Sequence, residues 1–136
     1  MDLFIYSTVS EDKHKHLEEL LKAFFPEKKM EVYRTFDNLS QRLKQAVRSE
    51  TIVLLVPASR QELQEILNKR NLLHGVRTIV VAPDDEMETI AIAHQLRPRF
   101  LTYLNNDLED LAAVMLKMNA GHLSNGGSPR SHFKEG

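Results

Sequence analysis

The residues that could do chemistry fall in short segments that follow apolar runs. Ser7-Thr8-Val9-Ser10 presents three hydroxyls after Leu3-Phe4-Ile5-Tyr6. Val56-Pro57-Ala58-Ser59, Ala82-Pro83-Asp84-Asp85 and Leu104-Asn105-Asn106-Asp107 end three further runs. Hydroxyls and amides of this kind can hold a phosphate or a polar ligand, and a hydroxyl can equally cap a helix. Ser7, Thr8, Ser10, Ser59, Asn105 and Asn106 are therefore the candidate ligand contacts. Asp84, Asp85, Glu86 and Glu88 form an acidic cluster that could act on a metal or a proton, or complement a helix dipole. The six histidines show no ligand spacing of the His-x3-His kind, so no metal site is expected and solvated histidines are. His14 and His16 stand two apart on a helix and point to different faces.

The elements that must position these residues follow from periodicity. Ile52-Val53-Leu54-Leu55-Val56 and Thr78-Ile79-Val80-Val81 are nearly all apolar, as in central parallel strands covered on both faces. Met30-Glu31-Val32-Tyr33 alternates, which suits an edge, and Phe100 to Leu104 gives a fifth strand. Between them run helical stripes. Leu17, Leu20, Leu21 and Phe24 mark the first helix, starting near Ser10. Phe36, Leu39, Leu43 and Val47 mark the second, with Asp37 as its expected N-cap. Ser59 to Glu62 has capping-box spacing before Leu63, Ile66 and Leu67. Met87, Ile90, Ala91 and His94 give a fourth stripe, and Leu108, Leu111, Ala112 and Met115 a fifth. Strand and helix thus alternate five times in about 118 residues, which predicts a three-layer α/β domain with a parallel sheet of order 2-1-3-4-5. The expected domain is residues 1–120. Residues 121–136, rich in glycine and serine, read as a disordered tail or a linker.

Composition excludes several classes. The chain has 136 residues, enough for one domain. It has no cysteine, which removes disulfides, thiolate metal sites and cysteine nucleophiles. Its net charge is −1, split as +2 over residues 1–78 and −3 over residues 79–136. No nucleic-acid partner is expected from that balance. No apolar run reaches the length of a membrane span, and the start at Met1-Asp2-Leu3 is not that of a signal peptide. A cytoplasmic location without membrane contact is the expectation.

The number, length and order of the βα units resemble a response-regulator receiver domain, over about residues 2–118. The resemblance implies the two-component signalling class and a set of reactive positions. An acidic Mg²⁺-binding pair would stand at Ser7 and Thr8, the phospho-accepting aspartate at Val56, a Ser or Thr at Ala82, and a lysine at Leu104 or Tyr103. None of these residues carries the chemistry, and no Asp or Glu lies within two residues of Val56. The resemblance therefore implies a pseudo-receiver: a regulatory module, not an enzyme, that needs no cofactor and acts through protein–protein contact. Its partner face, a protein's or a second copy's, would combine the fourth helix, fifth strand and fifth helix, with His94, Arg97, Arg99, Tyr103, Glu109 and Lys117. The alternative is a small-molecule or nucleotide sensor similar to a flavodoxin, binding at the strand ends. Its hydroxyl-rich first loop fits that reading, and the absence of glycine there counts against it.

Overall fold

The computed structural model describes residues 2–24, 29–45, 51–104, 111 and 113–114, without the side chains of Phe24 and Lys29. Its core is a five-stranded parallel sheet of order β2-β1-β3-β4-β5. The strands are β1 (Asp2–Ser7), β2 (Lys29–Tyr33), β3 (Ile52–Val56), β4 (Arg77–Ala82) and β5 (Phe100–Tyr103). The helices are α1 (Glu11–Phe24), α2 (Phe36–Leu43), α3 (Arg60–Asn68) and α4 (Met87–Gln95). A 3-10 turn at Arg70–Leu73 follows α3. This is the flavodoxin-like α/β topology that the alternation of periods predicts.

Each central strand sorts its residues by parity, because successive side chains leave a strand on opposite faces. Leu3, Ile5, Ile52, Leu54, Val56, Ile79 and Val81 pack with Leu17 and Leu21 of α1 and with Leu111. Phe4, Tyr6, Val53, Leu55, Val80 and Ala82 pack with Leu39 of α2, with Leu63, Ile66 and Leu67 of α3, and with Ala93 of α4. All five residues of β3 are buried, which is why that strand reads as unbroken apolar sequence. The edge strand β2 is only half buried at Glu31, Val32 and Tyr33. There Phe4 and Tyr33 meet edge to face at 6.1 Å, and the Arg42 guanidinium lies 4.7 Å from the Phe4 ring.

Three local expectations are corrected. The N-cap of α2 is Thr35, not Asp37: the extended Thr35 accepts the Asn38 N–H on its side chain, and Asp37 stands inside the first turn. The inward face of α4 is Thr89, Ala93 and Leu96, not the stripe Met87-Ile90-Ala91-His94. Met87 is 86 % exposed, Ala91 and His94 are exposed, and Ile90 is half buried. A threonine and an alanine face the sheet, so counting large apolar residues selects the wrong side of this helix. His14 is buried instead of solvated, because it stands three residues before Leu17 on the inner face of α1. Its Nε2 is 3.5 Å from Glu18, and its Nδ1 has no hydrogen-bond partner. His16 points outward.

Candidate functional site

In this topology loops diverge at the carboxyl ends of β1 and β3, opening the crevice where ligands of such folds bind. Here the crevice is tied across by the chain's own groups. The Thr8 N–H donates to the Val56 carbonyl at 3.3 Å, which carries the β1–β3 pairing one residue past the strands. Thr8 then bridges to α3. Its hydroxyl accepts the Ala58 N–H at 2.9 Å and donates to the Glu62 carboxylate. The same Glu62 oxygen also accepts the Ala58 N–H, at 3.1 Å.

The start of α3 explains this. Ser59 is extended and its hydroxyl accepts the Glu62 N–H at 3.2 Å, half of the expected capping box. In the full box the acid in the third helical position would accept the cap residue's own N–H. Glu62 instead accepts one residue earlier and reaches Thr8. The free N–H groups of a helix start attract an anion. At α3 the Glu62 carboxylate already supplies one.

The other side of the β1 terminus is held by Arg34, the residue after β2. Its guanidinium donates to the Val9 carbonyl at 2.7 Å and to the Ser7 hydroxyl at 3.4 Å, and lies 3.8 Å from Glu11. Ser7 is fully buried. Ser10 caps α1 with its carbonyl, accepting the His14 N–H at 2.9 Å.

The other receiver-type positions hold apolar side chains. Val56 and Ala82 have no exposed surface and belong to opposite cores. Leu104 is half buried against the first core. Val56, Val81 and Leu104 floor a concavity of about 240 Å³ beside α1, rimmed by Asp12, Lys13 and His16. That is below the usual range of about 300–1,000 Å³ for small-molecule pockets. None of Ser7, Thr8, Ser10 and Ser59 lines it. Asn105 and Asn106 lie outside the described residues.

Three of the four acids around the start of α4, Asp84, Glu86 and Glu88, make contacts within the fold. The Asp84 carboxylate accepts the Glu86 N–H at 2.9 Å, and that bond holds its pKa below the ordinary value. Arg60 of α3 donates to Glu86, to Glu88 at 2.6 Å and, through Nε, to the buried Thr89 hydroxyl at 2.9 Å. Among the described residues no group of three or more His, Cys, Asp or Glu could hold a metal ion.

Of the expected partner face, His94, Arg97 and Arg99 are exposed around the end of α4, while Tyr103 is half buried at the far end of β5. Glu109 and Lys117 lie outside the described residues. Sequence reasoning missed Arg34, Arg60 and the second role of Glu62. For Arg34 the signal was a lone cation directly after an edge strand; for the other two, only the packed helices bring the partners together. No helix among the described residues is long and apolar enough to cross a membrane. Comparison with protein-family models, curated proteins and solved structures gives no match.

Proposed function

We propose that this chain is a receiver-like regulatory module that has no aspartyl-phosphate switch and acts through contact with another protein. The observation that supports this best is the Thr8–Glu62–Ala58 bridge across the mouth of the β1–β3 crevice. A receiver keeps that crevice open to Mg²⁺ and a phosphoryl group; here a carboxylate and a hydroxyl of the chain occupy it. The buried Val56 adds to this, since it offers no oxygen to phosphorylate. The flavodoxin-like alternative has less support, because Glu62 would stand against any phosphate brought to the start of α3.

The test is incubation of the protein with Mg²⁺ and a small phosphodonor, followed by intact-mass measurement. The reading expects no mass gain. A base-labile phosphoryl group on any Asp or Glu overturns it.

A further inference from the structure

A second concavity lies at the opposite end of the sheet, beside the amino end of β4, and at about 560 Å³ it is the larger of the two. It falls within the range of about 300–1,000 Å³ typical of small-molecule sites. Its polar rim is Arg70, Asn71, His74, Gln95 and Arg97, and no carboxylate is among its lining residues. The nearly buried Leu73 and Leu96 give it an apolar floor.

Cations at this end of a parallel sheet have an ordinary explanation, because helix carboxyl ends point here and carry partial negative charge. Arg70 fits it in part: its Nη1 donates to the Leu67 carbonyl at the end of α3, at 3.2 Å. Arg97 does not. Its backbone N–H closes α4 on the His94 carbonyl at 3.0 Å, and its guanidinium has no partner among the described residues. The side chains of Asn71, His74 and Gln95 are likewise unpartnered there. Arg97 also has φ 54°, the left-handed position after a helix where glycine is usual. An L-residue held in that region is strained, because its Cβ crowds the neighbouring backbone carbonyl. Strain of this kind clusters where a side chain has a use.

We propose that this concavity binds a small organic phosphate, with the phosphoryl oxygens on Arg97 and Arg70 and the organic part over Leu73 and Leu96. Guanidinium groups match phosphate through paired N–H donors. Asn71, His74 and Gln95 supply further donors to the ester or to the organic group. This site is separate from the β1–β3 crevice and does not depend on how that crevice is read.

The experiment is a ¹⁵N amide shift titration of the intact protein at constant ionic strength, with inorganic phosphate, adenosine monophosphate and a phosphoserine peptide as probes. The proposal expects saturable shifts at Asn71, His74, Gly75 and Arg97, with adenosine monophosphate binding more tightly than phosphate. Arg97→Gly keeps the backbone conformation and is expected to weaken binding by about ten-fold, the loss of one charge-assisted contact. The thermal midpoint of that variant reports whether the fold is intact. Absence of saturation by both small anions overturns the proposal, as does unchanged affinity in a folded Arg97→Gly protein. Shifts caused by the peptide alone overturn the small-molecule assignment.

Discussion

The hydroxyl of Thr8 and the carboxylate of Glu62, fifty-four residues apart in the chain, meet across the carboxyl ends of β1 and β3. The contact joins the first loop to the first turn of α3 in the crevice where folds of this topology bind ligands. It predicts energetic coupling between the two loops. Thr8→Val should lower stability by about 1–2 kcal/mol, the range for a hydrogen bond to a charged group with partial solvent access. A urea double-mutant cycle with Glu62→Ala should give a coupling of about 1 kcal/mol. Additive effects of the two substitutions would show that the bridge carries no energy.

The scaffold was legible in the sequence and the bridge was not. Strand order, the burial of β3 and the inner faces of α1 and α3 follow from runs such as Ile52–Val56 and from the spacing of Leu17 and Leu21. The inner face of α4 does not, because Thr89 and Ala93 pack closely against the sheet without large apolar side chains. Glu62 signals a helix cap, and its contact with Thr8 exists only once α3 docks beside β1. The strained Arg97 has no sequence signature beyond following a helix without a glycine.

Val56 is fully buried among Ile5, Leu17 and Val81, so Val56→Asp should not restore a phospho-acceptor. It should destabilise the fold by about 3–5 kcal/mol at neutral pH, as for an unpaired charge placed in a core. Denaturant titration at two pH values checks this. Burial raises the new carboxyl's pKa, so part of the loss should return as pH falls and the group becomes neutral.

Two turns at the amino end of the sheet should respond oppositely to substitution. Gly75 has φ +88° with open space around an added Cβ, so Gly75→Ala should cost about 1 kcal/mol from backbone strain alone. Arg97→Gly should gain roughly 0.5 kcal/mol, the relief of strain less the added freedom of the unfolded chain. Thermal midpoints shifted down and up respectively are the expected result.

Tyr6 and Tyr33 are both pushed up to about 12. Burial is the main cause in each, followed by the negative charges of Glu62 and Glu65 for Tyr6 and the bond to Glu31 for Tyr33. The unfolded chain releases these protons near 10, the ordinary tyrosine value. Stability from the neutral phenols is therefore complete below about 10 and is lost as pH rises from there toward 12. Ultraviolet tyrosine titration should show the two late ionisations, and Tyr6→Phe should flatten the alkaline fall in stability.

With Thr8, Ala58 and Glu62 bridged across it, the β1–β3 crevice should take no phosphoryl ligand. An amide shift map of the folded protein with Mg²⁺ plus beryllofluoride, and separately with FMN, tests it most directly. No saturable shifts are expected at Ser7, Thr8, Val9, Ser10, Ala58 and Ser59. Saturable shifts at those amides with either addition would contradict it, and would show that the Thr8–Glu62 bridge opens to a ligand.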